Sequence, residues 1–358
     1  MDLNSLLIGG ITSGFNSVIE YLAQHVITCL IPAFFIAGAI AAIIKKDAIL
    51  KYFGPDVDKK ISYTIAAISG TVLAVCSCTI LPLFAGIYKK GSGIGPATTF
   101  LYSGPAISIL AIVYTAQVLG FTLGLARGVA AIITSILIGL LMSIIFKDEV
   151  KNETKKGKRT ELSSNSTESR PIWVDASFFV MLVLILIFGT AKIDILAKFA
   201  IVYILTLGVA VLLIYYFDKQ EVTDWGNETL DLSKKIFPIL IAGTFIVGLI
   251  AYYLPPETFR PYLGGNSLTA CFTASIVGAI LYMPTLLEIP IIGTTFGYSS
   301  GIMGGGPALS LLLAGPGVSL PSLVVIYRIL GAKKTAVYIS LVIIFSTLSG
   351  FIYGNIVG

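Results

Sequence analysis

The chain has 358 residues, of which 56% are hydrophobic and 12% charged, and its mean hydropathy is +0.92. A soluble domain has too little interior to hide that much apolar surface, so the composition excludes a water-soluble enzyme and points to a polytopic membrane protein. The net charge of +5 does not indicate a nucleic-acid partner, because the Lys and Arg residues sit between apolar runs.

The start, MDLNSLLIGG, lacks the basic region of a cleavable signal peptide. An apolar helix is expected from Ser13 to Ile44, followed by a charged turn from Lys45 to Lys60. The apolar segment 61–75 leads into Cys76-Ser77-Cys78. Two short helical pieces, 79–90 and 94–103, flank the turn at Lys89-Lys90-Gly91. Apolar helices follow at 106–119 and 123–146. Residues 147–171 are charged and rich in Ser and Thr, the composition of a flexible linker. Apolar spans at 172–191 and 198–217 come next, then a polar linker at 218–231.

The last third repeats the first. Residues 25–56 align without a gap on 235–266, with Gly38 on Gly248, Tyr52 on Tyr262 and Gly54 on Gly264. Further on, GPATTFLYSGPAIS (95–108) matches GPALSLLLAGPGVS (306–319), and both copies hold two Gly-Pro pairs at the same spacing. Pro82 aligns best with Pro290, which sets Ile80 opposite Glu288. The chain therefore divides into a first membrane repeat (1–146), a cytoplasmic linker (147–171), two connecting transmembrane helices (172–217), a second cytoplasmic linker (218–231) and a second membrane repeat (232–358).

Charge suggests how the copies are oriented. If 61–90 is a re-entrant hairpin dipping to the Cys-Ser-Cys tip, each repeat crosses the membrane three times and the copies are inverted. That arrangement puts 20 of the 24 Lys and Arg residues on one face, leaving Arg127, Lys192, Lys198 and Arg260 on the other. A full crossing at 61–90 would split them evenly, so the positive-inside rule selects the inverted arrangement. The expected fold is an all-α polytopic membrane protein with inverted repeats, re-entrant hairpins and discontinuous helices, about eight spans plus two hairpins, and both termini outside.

The run CSCTILPLFAGIYKKGSGIGPATTFLYSGPAIS, with the repeated Gly-Pro pairs and Glu288-Ile289-Pro290, resembles the predicted-permease family that includes the organoarsenical efflux permease ArsP. The resemblance covers nearly the whole chain. It implies a multi-pass permease of the cytoplasmic membrane and, in the characterised member, export of trivalent organoarsenicals with membrane cysteines recognising arsenic. Here the second hairpin reads Met283-Pro284-Thr285-Leu286-Leu287-Glu288, without a cysteine.

The candidate substrate-binding residues are Cys76, Ser77 and Cys78 at one tip, Gly104-Pro105 and Gly315-Pro316 at the helix breaks, and Thr285 and Glu288 on the second hairpin. Cys76 and Cys78 point the same way in an extended segment and could share a soft metalloid; otherwise they are small apolar fillers. Cys29 and Cys271 read as ordinary helix residues. Glu288 is costly at membrane depth unless it faces a cavity or is protonated, which suits a proton carrier; the alternative is a structural carboxyl. Tyr102, Ser103, Ser108 and Ser319 offer hydroxyls to a solute or to half-helix ends. His25 and Glu20 lie on one helix without sharing a face, and Asp175 beside Trp173 reads as interfacial. The Asn-x-Thr matches at Asn152, Asn165 and Asn227 fall in segments read as cytoplasmic, where no glycan is expected.

The leading reading is a proton-coupled secondary transporter working by alternating access, with a thiol-reactive solute such as a trivalent organoarsenical as cargo. A small anion or sulfur compound held at half-helix N-termini is the alternative cargo. A thiol-redox membrane enzyme and a passive channel are the alternatives of other classes. No GxxxxGK[ST] motif is present, so the chain carries no nucleotide engine. No cofactor and no resident metal are expected. The expected partners are the lipid bilayer and a small solute, with a homo-oligomer left open.

Overall fold

The structure, a computed structural model, describes residues 3–23, 30–43, 57–73, 77–147, 172–190, 195–253, 256–281 and 288–357. Among these residues the regular structure is helical, without a strand. The first half contains α1 (Leu3–Tyr21), α2 (Ile31–Ala42), α3 (Lys59–Leu73), α4 (Ser77–Lys89), α5 (Ile94–Ala106), α6 (Ile109–Val118) and α7 (Phe121–Ile145). Then come α8 (Ile172–Thr190), α9 (Ile195–Tyr216) and α10 (Lys219–Tyr253). After a 3-10 helix at Pro256–Tyr262, the chain closes with α11 (Leu268–Ile280), α12 (Glu288–Thr294), α13 (Gly305–Gly317), α14 (Leu320–Leu330) and α15 (Ala332–Val357).

Three of these helices are long and apolar enough to cross a membrane: α7, residues 198–216 of α9, and α15. The pairs α5–α6 and α13–α14 bend by 41° and 48° at short breaks, and each pair is apolar enough to form one further span. The breaks fall at Ile107-Ser108 and Val318-Ser319. The second Gly-Pro pair of each copy, Gly104-Pro105 and Gly315-Pro316, thus lies inside the last turn of its helix instead of interrupting it, and the helix stops just beyond; the first pair, Gly95-Pro96 and Gly306-Pro307, lies in the opening turn. Proline lacks the N–H that would continue the ladder and crowds the preceding turn, so termination soon after it is the expected consequence.

Helix starts recur in the two halves at one separation. Tyr102 and Leu313, which are 211 positions apart, mark it. The starts of α5, α6 and α7 map by that shift onto the starts of α13, α14 and α15. So do Gly120 (φ +108°) and Gly331 (φ +81°), the left-handed residues before α7 and α15, where any other residue would be strained. The packing repeats as well. A Cβ on Gly139 would overlap Thr99 Oγ1 and approach the Gly95 carbonyl; one on Gly350 would overlap Ser310 Oγ and approach the Gly306 carbonyl. Missing side chains at these glycines let α5 sit against α7, and α13 against α15, at backbone distance.

The halves interlock. Helix α4 packs on α14 of the other half, and α12 packs on α6 of the first. Helix α13 touches both α5 and α7. At the centre of this crossing the Tyr102 hydroxyl donates to the Leu313 carbonyl (3.0 Å), so α5 and α13 meet at equivalent positions. Tyr338 on α15 donates to the Gly317 carbonyl (3.1 Å), capping the broken end of α13.

Two segments differ from the sequence expectation. The first helix begins at Leu3, ahead of Ser13, and its glycines Gly9, Gly10 and Gly14 receive Tyr252, Tyr253 and Phe245 of α10. The polar stretch 218–231, read as a linker, forms the opening turns of the 35-residue α10. Its polarity is that of a solvated helix face. Gln220 pairs with Asp224 (3.2 Å) and Lys235 with Asp231 (2.7 Å), each four residues apart, while Trp225 anchors the turn by donating to the Phe35 carbonyl (2.8 Å). The charged turn at 45–56, the linker residues 148–171, Cys29 and His25 lie outside the described residues.

Candidate functional site

The centre of the interlocked halves holds an ion pair. Arg127 stands two turns into α7, about 9 Å along the helix at 1.5 Å per residue, and both it and Glu288 are fully buried. Its Nη2 donates to Glu288 Oε1 at 2.7 Å, and its Nη1 donates to Thr115 Oγ1 on α6 at 2.9 Å. Thr115 in turn donates to the Ala111 carbonyl (2.7 Å), which fixes its hydroxyl for the arginine. Three helices from both halves therefore converge on one charge pair: α6 and α7 from the first, α12 from the second.

The sequence dictates this locally. Glu288 opens the short helix α12, whose Ile289 and Ile292 are fully buried and pull the whole turn inside. Gly315 faces the carboxylate, and a Cβ there would lie 3.0 Å from Glu288 Oε2. Glycine beside the Pro316 break thus makes room for the acid. Two atoms of the pair, Arg127 Nε and Glu288 Oε2, find no hydrogen-bond partner among the described residues. A fork-on-fork arginine–carboxylate pair would use two parallel bonds; this one uses a single bond and leaves a donor and an acceptor over.

Arg127 corrects the charge tally made from sequence. It was assigned to the outer face as a topology charge, but it lies buried in the protein and is spent on Glu288. The signal that could have found it is the need for compensation. A cation inside an apolar helix and a carboxylate inside an apolar hairpin limb are each expensive alone, and each is the other's cheapest partner.

Of the sequence-predicted site residues, the structure brings Glu288 and Gly315 together. Gly104, Pro105 and Pro316 are buried in the last turns of α5 and α13. Ser77 and Cys78 occupy the first turn of α4. Cys76 and Thr285 lie outside the described residues. Several candidate hydroxyls are already engaged. Ser103 donates to the backbone around Ala66 and Phe100, Ser319 pairs with Ser322 (2.8 Å), and Tyr102 holds the Leu313 carbonyl.

A second group of charges marks one end of the molecule. Lys89, the last residue of α4, bonds to Glu228 at 2.5 Å and stands 4.0 Å from Asp231, both on the polar part of α10. Lys334, at the start of α15, donates to the Tyr88 hydroxyl (3.3 Å). The hydrogen bond from Lys235, with the further attraction of Lys89 and Lys234, holds the Asp231 carboxyl below its ordinary range.

The profile of a family described as "Predicted permease" (ArsP_1) matches residues 11–355. UPF0718 protein MJ0584 of Methanocaldococcus jannaschii is 44% identical, covering 99% of this chain and 99% of that protein. UPF0718 protein YraQ of Escherichia coli is 33% identical over 30% of each chain. No solved structure matches.

Proposed function

The chain belongs to the predicted permease family, and on that premise we propose that it is a multi-pass secondary transporter of the cell membrane that works by alternating access. The observation that carries the reading is the Arg127–Glu288 pair, buried where broken helices of the two halves cross. Discontinuous helices and a midplane site between repeats are the shared layout of secondary transporters. In this reading the repeats are inverted, the chain makes eight spans plus two hairpins, and the lysine-rich end carrying Lys89, Lys235 and Lys334 faces the cytoplasm. The two halves rock about the crossing of α5 and α13, opening the pair to one side at a time.

Glu288 is the proton-coupling group of this reading. Ionised, it holds Arg127; protonated, it releases it, so the state of one proton and the state of one central contact are tied together. The cargo we assign from the family resemblance is a thiol-reactive solute such as a trivalent organoarsenical, moved outward and recognised by Cys76 and Cys78, with Ser77, Thr285, Gly104-Pro105 and Gly315-Pro316 shaping the passage.

The test is flux into proteoliposomes holding the purified full-length chain, with a trivalent methylarsenical as solute. A carrier gives a rate that saturates with concentration and is accelerated by unlabelled solute on the far side. A rate that rises without limit and shows no such counterflow means a channel. Oxidation or reduction of added thiol without flux means a redox enzyme.

A further inference from the structure

We propose that Arg127 is the binding residue for a small monovalent oxyanion, which takes the place of the Glu288 carboxylate on the guanidinium while Glu288 takes up a proton. The proposal rests on the permease reading and on the geometry of the pair, and draws nothing from the thiols.

The first observation is that the pair is unfinished. The guanidinium presents five N–H donors in a rigid fork. Glu288 accepts from Nη2, Thr115 accepts from Nη1, and Nε has no partner among the described residues. Glu288 Oε2 is equally idle. In a site without solvent, each idle polar atom costs free energy that a purely structural pair would recover by closing the fork.

The second observation is that the fold does not need these charges. By the alignment of Pro82 with Pro290, the other half holds Ile80 at the place of Glu288. By the separation of Tyr102 from its equivalent Leu313, it holds Tyr338 at the place of Arg127. Both are buried, and neither carries charge. The same scaffold is therefore built once with an ion pair and once without, so the pair serves something other than assembly.

Charge balance then fixes the cargo. The pair is neutral as it stands. An anion arriving alone would leave one negative charge too many inside the protein. An anion arriving with one proton leaves none: the anion lies on the guanidinium and Glu288 becomes a neutral acid. No other bond is made or broken, and the proton comes from the water on whichever side the site has opened. Among the described residues, Tyr102 on α5 is the other titratable group close enough to feel the pair, and its hydroxyl is spent on the Leu313 carbonyl. The helices packed against α12 contribute Thr115 from α6 and Gly315 from α13, neither of which titrates. One proton acceptor matches one negative charge, so a divalent anion is disfavoured. A planar oxyanion with two neighbouring oxygens fits the Nε–H and Nη2–H edge that Glu288 half occupies. Thr115 is a positioning residue: it keeps the guanidinium in place while the carboxylate lets go.

Isothermal titration of the purified full-length protein tests this, with sodium acetate and sodium nitrate as probes and sodium sulfate as the divalent control. Two buffers of different ionisation enthalpy report the protons taken up. Wild type should bind acetate and nitrate with about one proton per anion, which by linkage weakens binding roughly tenfold per pH unit on the alkaline side; sulfate should bind at least about tenfold more weakly. Glu288→Gln should bind both monoanions at least as tightly, with no proton uptake. The double variant Arg127→Gln with Glu288→Gln keeps the site neutral, so it should fold, and it should lose at least about tenfold in affinity, the range of a charge-assisted hydrogen bond. The proposal is overturned if the double variant binds like wild type, if Glu288→Gln still takes up a proton, or if wild type binds neither monoanion at tens of millimolar. Binding as expected with flux of neither nitrate nor the methylarsenical in proteoliposomes would sink the permease reading and leave the anion site standing.

Discussion

At the residue scale, Arg127 and Glu288 are strongly coupled, because each is the other's compensation in a site closed to water. Removing one partner strands a buried charge, which costs about 3–5 kcal/mol. Arg127→Ala should therefore lower the thermal midpoint of the purified protein sharply, while Arg127→Gln combined with Glu288→Gln should restore most of the loss. If the two losses simply add, the pair is not coupled and the site has been misread. The thiols have a separate test. Cys76→Ser and Cys78→Ser are nearly isosteric, so each should abolish arsenical flux while leaving expression and melting close to wild type; unchanged flux in both retires the thiol site. Glu288 stood out in the sequence because a carboxylate in an apolar limb needs compensation, whether from a cavity, a proton or a buried partner. Arg127 was not, since a single cation near a helix end also reads as a topology signal, and only the fold reveals the carboxylate lying across from it.

Among the elements, the helix contacts depend on absent side chains. Gly139→Ala would push a methyl into Thr99 and the Gly95 carbonyl, and Gly350→Ala into Ser310 and the Gly306 carbonyl. Overpacking of this kind costs about 1–3 kcal/mol, and the two variants should lose similar amounts because they damage equivalent joints. Gly226→Ala is the control. It lies within α10, and an added methyl would meet nothing within 4 Å, so it should stabilise by about 0.5–1 kcal/mol through helix propensity alone. Thermal melts of the three variants decide it: equal melting of all three would mean that α5–α7 and α13–α15 are not in close contact. The discontinuities themselves were legible, since Gly-Pro at this density stops a helix. Their placement was off by a turn because a proline removes only its own N–H from the ladder and crowds the turn behind it, so the helix ends just after the proline and not at it. The polar turns of α10 were illegible for a different reason. Their helicity is secured by Trp225 reaching the Phe35 carbonyl, a contact with no trace in local composition.

For the whole molecule, the repeat was read directly from sequence, because matched Gly-Pro spacings carry through to matched helix starts, glycine joints and breaks. The crossing of the halves was not, because which half-helix packs on which is a property of the assembled fold. Topology can be checked from outside the cell. In a background without other reactive cysteines, Ser163→Cys and Lys333→Cys should resist an impermeant maleimide in intact cells, while Tyr262→Cys should label. Ready labelling of the first two would reverse the orientation, and labelling from both sides would end the inverted arrangement.

The central claim is that one proton on Glu288 governs the central contact between the halves and so couples transport to the proton gradient. Its most direct test is solute flux in proteoliposomes under an imposed pH gradient, comparing wild type with Glu288→Gln for both a trivalent methylarsenical and nitrate. The account predicts that wild type moves at least one of them at a rate set by the gradient, and that Glu288→Gln, locked in the protonated form, moves the same solute at a rate indifferent to it. If the variant follows the gradient as wild type does, Glu288 is a structural carboxyl and the claim is wrong.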